Sequence, residues 1–193
     1  KDLGAKTRLR RPRSGKTILW VGRPDPYKNL VGLIEAFARV RKCRQFPVQL
    51  RLAGPKDDRY PEAFLAARRL GVQSDIAWLG YIPEEQLVSE YQQADVFVLP
   101  SFYEGFGLPA IEAMACGTPV VCSNKGSLPE VAGDAAIKVQ PDDIIGMAEA
   151  IIRVVSDPRM ADDMRQRGLR HAAQFTWRAT AEATLRAYRK ALE

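Results

Sequence analysis

Short apolar runs alternate with longer amphipathic stretches along most of this chain. The runs have the β-branched and aromatic content of buried strands, and they occupy residues 18–21, 48–52, 76–79, 96–99, 120–122 and 136–139. The stretches between them repeat apolar residues at helical spacing, over residues 29–42, 61–70, 83–94, 108–116 and 128–132. This alternation is typical of a parallel sheet covered by helices. We therefore predict an α/β, Rossmann-like domain with about six parallel strands and helices on both faces.

The two ends of the chain differ from this pattern. Residues 142–193 show helical patterns throughout, with breaks at Asp157 and Pro158 and at Thr176 and Trp177. Residues 1–16 are rich in Lys and Arg and precede the first apolar run. The predicted division is therefore a basic linker or arm over residues 1–16 and one domain over residues 17–193, which ends in the helical region 142–193.

The basic charge of the chain is confined to that arm. The 193 residues carry a net charge of +6, and residues 17–193 contain 22 basic and 22 acidic residues. A neutral body gives no basic face for nucleic acid, so no nucleic-acid partner is predicted. No apolar run approaches the length of a membrane span. The expected location is cytoplasmic, and the arm adds a secondary expectation of peripheral contact with the inner face of a membrane.

Cysteine and histidine give no sign of a metal or a catalytic base. Cys43, Cys116 and Cys122 share no metal-ligand spacing, and an odd number of them indicates reduced thiols. His171 is the only histidine and lies in an Arg-rich helical segment, where a structural or surface histidine is expected. The sequence therefore predicts no metal site.

Candidate chemistry lies in loops at one edge of the predicted sheet. In open α/β sheets ligands bind beyond the carboxyl ends of the strands, which here are followed by loops 22–28, 80–83 and 100–107. Arg23 and Lys28 lie in the first of these loops, which two prolines stiffen. Two cations on such a loop can both reach one diphosphate. In the alternative interpretation, Arg23 pairs with Asp25 and Lys28 only leads into the next helix.

A glycine-containing turn lies between the fourth apolar run and the helical pattern that follows it. Gly105 and Gly107 would place a helix N-terminus, with its free backbone N–H groups and positive dipole end, at the same edge. Such a helix end binds phosphate. Glu104 and Glu112 would be repelled by the phosphate, but they can accept hydrogen bonds from hydroxyl groups on either side of it. A ligand with hydroxyls on both sides of its phosphates is a nucleotide-sugar.

The same turn also matches the dinucleotide fingerprint G-x-G-x-x-A through Gly105, Gly107 and Ala110. That fingerprint follows the first strand of its domain, with an acidic residue at the end of the next strand. Here the turn follows the fourth run, and the next run ends at Ser123 and Asn124 without an acid. An NAD-dependent oxidoreductase is therefore disfavoured.

Glu104 and Glu112, with seven residues between them, match an E-x7-E motif. Further matching segments are residues 22–29, 78–83, 104–109, 115–121 and 128–130. In order and spacing they resemble the retaining glycosyltransferases of the GT-B fold, in particular glycosyltransferase family 4, over about residues 17–190. The resemblance is to the C-terminal, donor-binding half of such an enzyme, and the N-terminal acceptor domain has no counterpart in these residues.

The resemblance also implies what the last helix does. Residues 175–188 are similar to the closing helix of the family, which packs back onto the N-terminal domain. An exposed apolar patch on Trp177, Leu185 and Tyr188 is therefore expected.

Roles for individual residues follow from the resemblance. Arg23, Lys28 and the backbone amides of Gly107 and Leu108 would hold the donor diphosphate. Glu112 would bind the ribose hydroxyls, Glu104 would face the donor sugar, and segment 80–83 would contact the base. The predicted catalytic residues are Glu104, Arg23 and Lys28, and the predicted substrate-binding residues are Gly22, Tyr81, Ile82, Gly105, Phe106, Gly107, Leu108 and Glu112.

The implied function is that of a nucleotide-sugar donor-binding domain of a retaining hexosyltransferase in glycan or glycolipid synthesis, inactive on its own. Its donor would be a UDP-sugar or a GDP-sugar, with no further cofactor. No Asp-x-Asp pair occurs in the chain, which favours a metal-independent enzyme. Two alternatives stay open at this point, namely a non-catalytic nucleotide- or partner-binding module of the same fold, and a GT-B nucleotide-sugar epimerase or phosphorylase relative.

Overall fold

A computed structural model describes residues 15–43 and 46–192. The predicted basic arm lies outside the described residues except at its end. Lys16, which the sequence analysis assigned to the arm, is the first residue of the first strand and pairs in register with Val48. The strand begins there because the backbone N–H of Lys16 donates a hydrogen bond to the carbonyl of Pro47 at 2.7 Å.

The centre of the domain is a six-stranded sheet in which all neighbouring strands are parallel, as predicted. Its order is β3-β2-β1-β4-β5-β6. The strands are β1 Lys16–Val21, β2 Val48–Ala53, β3 Ile76–Gly80, β4 Val96–Leu99, β5 Val120–Ser123 and β6 Ala136–Val139.

Within the described residues, eight α-helices connect and follow these strands. They are α1 Leu30–Lys42, α2 Glu62–Arg69, α3 Glu84–Gln93, α4 Leu108–Ala115, α5 Leu128–Ala132, α6 Ile144–Ser156, α7 Pro158–Ala172 and α8 Trp177–Ala191. The last three helices are separated at the two predicted breaks. Asp157 and Thr176 are the N-caps of α7 and α8, and each side chain accepts a hydrogen bond from the first turn of its helix.

Apolar side chains fill the space on both faces of the sheet. Along β1, Ile18 and Trp20 face the cluster that contains α1, α2 and α6, whereas Leu19 faces the cluster formed by α3, α4 and α5. In β4, Val96 and Val98 alternate in the same way with Phe97 and Leu99. Strands buried on both faces are apolar at every position, which explains why the pattern of continuous apolar runs located them.

The strand order reverses between β1 and β4. The chain runs outward from β1 to β2 and β3, and then crosses to the other side of β1 to form β4. Loops that leave the carboxyl ends of β1 and β4 therefore diverge to opposite faces and leave a crevice between them, which is where open α/β sheets bind ligands. We call the space between loop 22–29 and loop 100–107 the switch-point crevice.

Helix α8 contributes no buried residue to the domain. Trp177, Leu185 and Tyr188, at helical spacing on one side of it, are 90%, 49% and 66% exposed, so the expected apolar surface is present. Among the described residues, no helix combines the length and the apolar character that crossing a membrane requires.

Candidate functional site

The two loops of the switch-point crevice are joined at its base. The backbone N–H of Phe102, after β4, donates a 2.8 Å hydrogen bond to the carbonyl of Tyr27, after β1. The side-chain amide of Asn29 donates to the carbonyl of Pro100 at 3.1 Å and to that of Pro141 at 2.6 Å. Asn29 therefore ties together the loops that follow β1, β4 and β6.

The backbone of Asn29 is as specific as its side chain. Asn29 has φ 55° and ψ 41°, the only positive φ of a non-glycine residue in the described part of the chain. Asparagine tolerates this left-handed conformation better than most residues. Gly32, which has no side chain, makes room for the Asn29 side chain, since a Cβ at position 32 would lie 2.5 Å from the Asn29 Oδ1 atom.

Lys28 and Glu104 form an ion pair across the crevice. The Lys28 Nζ atom lies 2.8 Å and 2.9 Å from the two carboxylate oxygens of Glu104, and the Ser101 hydroxyl donates to Oε1 at 2.6 Å. Both side chains are largely buried, at 13% and 8% exposure. Lys28 thus does more than lead into α1, and the Glu104 carboxylate is occupied by internal donors in the free protein.

Arg23 adopts the pairing that the sequence analysis considered as the alternative. Its Nε atom lies 3.5 Å from Asp25 Oδ2, and its side chain is 61% exposed. Because the guanidinium side of this pair is open to solvent and the contact is long, the pair contributes little to stability, and Arg23 can exchange Asp25 for a ligand at small cost.

The glycine turn (residues 105–107) leads directly into α4. Gly107 has φ 93°, and a Cβ there would lie 2.5 Å from Leu128 Cδ2, so this position requires glycine. Gly105 has open space where a side chain would be. No hydrogen bond among the described residues uses the backbone N–H of Gly107 or Leu108, and Pro109 has none to offer. The start of α4 therefore presents two unsatisfied donors at the crevice.

The loop after β5 also belongs to the site, although the sequence analysis did not assign it a role. The Ser127 hydroxyl lies 3.0 Å from the carbonyl of Glu104 and 2.9 Å from that of Phe106. A Cβ at Gly126 would lie 3.0 Å from the backbone nitrogen of Glu104. Because β5 neighbours β4, its loop had to lie beside the glycine turn, and strand adjacency was the signal that could have located it.

Glu112 lies in the second turn of α4, half-buried, and its Oε2 atom accepts a 2.9 Å hydrogen bond from the Tyr91 hydroxyl. Burial first, and then the charge of Glu112, raise the pKa of Tyr91 well above its usual range. The same two causes raise the pKa of Cys116, one turn further along, to about 11. No hydrogen bond within the described ranges reaches Glu112 Oε1. Tyr91 was missed because its spacing marks it only as a core residue of α3.

Segment 80–83 lies on the same edge of the sheet but outside the switch-point crevice. It follows β3, an edge strand that β2 separates from β1. At an interstrand spacing of about 4.8 Å, its start lies roughly 10 Å from the end of β1. Tyr81 is 84% exposed and Ile82 is half-buried. Between these loops lies loop 54–61, which was not predicted as part of the rim.

The remaining candidates for chemistry are structural. His171 Nε2 donates to the carbonyl of Val131 at 2.8 Å, as expected for a structural histidine. Burial raises the pKa of Cys122 to about 12, and Cys43 is exposed at the C-terminal end of α1. In the part of the chain that the structure describes, no group of three or more His, Cys, Asp or Glu side chains could hold a metal ion.

Comparison with known proteins identifies the family. The sequence profile of the family described as "Glycosyl transferases group 1" matches residues 5–171. The chain belongs to this family. Among curated relatives, the chain is 39% identical over 171 residues to the O-antigen chain mannosyltransferase B of Escherichia coli, covering 89% of this chain and 45% of the relative. It is 35% identical to an MMP alpha-(1->4)-mannosyltransferase of Mycolicibacterium hassiacum, covering 98% and 47% of the two chains. The chain thus spans slightly less than half the length of these relatives.

Solved structures agree with this assignment. The chain superposes on a sucrose-phosphate synthase from Thermosynechococcus elongatus with a TM-score of 0.80 and 32% identity, over 94% of this chain and 47% of that one. It also matches the C-terminal domain of a glycosyl transferase group 1 family protein from Francisella tularensis, with a TM-score of 0.74 and 26% identity, over 82% of this chain and 85% of that domain. Together with the family match, these neighbours identify a glycosyltransferase domain of the GT-B type.

Proposed function

We propose that the switch-point crevice binds a nucleoside-diphosphate sugar and that this group 1 glycosyltransferase is the donor-binding domain of a retaining hexosyltransferase. The observation that carries the proposal is the meeting, at one crevice, of the Lys28 ammonium with the unsatisfied amides at the start of α4. A cation and a helix N-terminus attract the same ligand, a phosphate. Because the chain belongs to a glycosyltransferase family, we infer that this phosphate belongs to a sugar donor.

The diphosphate would be held from both sides of the crevice. Lys28 and Arg23 approach it from loop 22–29, Gly22 keeps that loop close to the neighbouring strand, and the Gly107 and Leu108 amides approach it from α4. Gly105 leaves space beside the phosphates, and Phe106 holds the turn. As the glycosidic bond breaks, negative charge grows on the departing diphosphate, and these groups would stabilise it without reorganisation.

The rest of the donor would extend to either side. Glu112 Oε1 is available to accept from the ribose hydroxyls, while Tyr81 and Ile82 would contact the base, across β2 from the crevice. Glu104 would act next to the donor sugar, and its carboxylate would compete with the diphosphate for the Lys28 ammonium. The transfer would pass through an oxocarbenium-like transition state and would need no metal ion.

We further propose that the acceptor binds to a separate domain and that the domain described here transfers no sugar by itself. The curated relatives are about twice as long as the stretch that this chain matches. The exposed apolar side of α8, with Trp177, Leu185 and Tyr188, would contact that domain. Sugar transfer by residues 1–193 alone would contradict this part of the proposal.

Isothermal titration tests the donor site directly. UDP, GDP, ADP and NAD are titrated into the protein, first with a chelator and then with magnesium. We expect one nucleoside diphosphate, UDP or GDP, to bind without metal, and the one that binds identifies the base. Binding of none of the four, or preferential binding of NAD, would contradict the proposal.

Replacing Glu112 with alanine is expected to weaken binding of the nucleoside diphosphate by about 10- to 100-fold, because a charge-assisted hydrogen bond contributes on the order of 1.5–3 kcal/mol. The decisive control is the 2′,3′-dideoxy form of the same nucleotide. Its affinity should be the same for the wild-type protein and for Glu112→Ala. A second control, Tyr91→Phe, removes the hydroxyl that fixes the carboxylate and should have a smaller effect. An equal loss with the dideoxy nucleotide would show that Glu112 does not bind the ribose.

A further inference from the structure

The side chain of Phe106 projects from the glycine turn and meets a residue from the far end of the chain. Its ring lies edge-to-face on that of Phe175, with centroids 6.0 Å apart and an interplanar angle of 79°. Phe175 belongs to the short connection between α7 and α8. The structure thus brings a residue 69 positions later in sequence against the turn that leads into α4.

Phe175 is itself held in place. Its backbone N–H donates a 3.0 Å hydrogen bond to the carbonyl of Ala172, and its ring packs on His171 at 5.3 Å with an interplanar angle of 62°. His171 in turn donates to the carbonyl of Val131 in α5. A Cβ at Gly133 would lie 2.9 Å from His171 Cε1, so that glycine permits the close approach. The Phe175 ring therefore has a fixed support behind it.

The glycine turn is also held by the loop after β5 and the start of α5, where Leu128 lies against Gly107. Ser127 holds its carbonyl side, at Glu104 and Phe106. On the opposite side, the position of a side chain at Gly105 would be open space, and the Phe106 ring is 44% exposed. The contact with Phe175 thus restrains the turn at the Phe106 ring, directly before the Gly107 and Leu108 amides.

The same contact connects the turn to α8. That helix begins at Trp177, two residues after Phe175, and buries none of its own residues against the domain. Its direction is consequently set by the junction in which Phe175 lies. A partner bound to the apolar side of α8 would therefore reach the glycine turn through this junction.

We propose that Phe175 is a positioning residue for the diphosphate site: by packing on Phe106 it holds the glycine turn so that the α4 amides face the phosphates, and it couples that turn to the position of α8. The proposal rests on the proposed function only for the identity of the ligand. If this ring contact holds the turn in its binding conformation, its loss is expected to lower the affinity for the nucleoside diphosphate by about three- to tenfold.

The coupling is tested first without ligand, by ¹⁵N–¹H spectra of the wild-type protein, Phe175→Leu, Phe175→Tyr and Leu185→Ala. Leucine keeps an apolar side chain but loses the ring, whereas tyrosine keeps the ring. Because Phe175 is 39% exposed, the hydroxyl of the introduced tyrosine can be solvated. We expect the amide resonances of Gly107 and Leu108 to shift or broaden in Phe175→Leu, and to stay close to wild type in Phe175→Tyr. Leu185→Ala, a matched change on α8 away from the junction, should leave them unchanged. Unaltered amides in Phe175→Leu would overturn the proposal.

The consequence for binding is tested by titrating UDP and GDP into Phe106→Leu, Phe175→Leu and the double variant. Each single change should lower the affinity about three- to tenfold, and the double variant should lose no more than either one. Additive losses, or a lower melting temperature with wild-type affinity, would show that Phe175 is only structural. If the wild-type protein binds neither nucleotide, the proposed ligand is wrong, while the amide spectra still decide whether the junction and the turn are coupled.

Discussion

Replacing Glu104 with glutamine is expected to destabilise the free protein by about 2–3 kcal/mol and yet to leave its affinity for nucleoside diphosphates at or above the wild-type value. The loss of stability follows because the Lys28 ammonium, 13% exposed, keeps its buried position but loses its countercharge. Binding is spared because diphosphate and carboxylate compete for the same ammonium, and an anionic ligand replaces the missing charge. Urea unfolding at equilibrium measures the first effect and titration calorimetry the second.

Lys28→Met is the matched control for this pair. This substitution removes the ammonium that both the Glu104 carboxylate and the diphosphate would bind. We therefore expect it to lower nucleoside diphosphate affinity by about tenfold or more, in addition to any effect on stability. Combining the two changes in a double-mutant cycle isolates the coupling between the two side chains. If Glu104→Gln lowers nucleotide affinity as strongly as Lys28→Met, the pair acts as a unit, and Glu104 is needed to aim Lys28 at the phosphates.

Replacing Asn29 with alanine is expected to lower the free energy of unfolding by about 3 kcal/mol. Two buried carbonyls, of Pro100 and Pro141, lose their donor, and each unsatisfied group costs on the order of 1–3 kcal/mol. Alanine is also strained at a φ of 55°. Because the same amide joins three loops of the rim, nucleotide affinity should fall as well, as measured by calorimetry.

Asn29→Gly separates the two causes. Glycine adopts positive φ without strain but supplies no donor, so it should be less destabilising than alanine by about 1 kcal/mol. Equal losses for the two variants would show that the left-handed backbone contributes nothing, and a negligible loss for both would contradict the role of Asn29 as the link between loops.

The pattern of apolar residues located the strands because of how a parallel sheet is buried. β1, β4 and β5 are covered on both faces, so their residues form continuous apolar runs that are visible without any knowledge of their neighbours. The strand that begins at Lys16 was placed too late for the same reason, since Lys16 and Thr17 are polar residues at its start. Their pairing with β2 depends on residues more than 30 positions away.

The individual contacts of the site were less accessible. Lys28 and Glu104 were both predicted from their motifs, but as independent ligands of diphosphate and sugar, and not as partners of each other. Their ion pair joins residues 76 positions apart, and no local sequence pattern reveals a contact over that separation. Ser127 escaped notice because it is an ordinary loop residue until β4 and β5 are placed side by side. Tyr91 is an ordinary core residue until α3 packs against α4.

By itself the sequence determined the class of the fold and the loops that carry the candidate donor-binding residues, since apolar periodicity, glycine turns and charged loops are local properties of the chain. Tertiary structure alone decided how those residues are arranged. The strand order β3-β2-β1-β4-β5-β6 places loop 22–29 against loop 100–107, moves segment 80–83 two strands away and brings Phe175 onto the glycine turn. These positions depend on contacts between segments that are far apart in sequence. Such segments become neighbours only when the sheet has folded, so local patterns in the sequence do not reveal them.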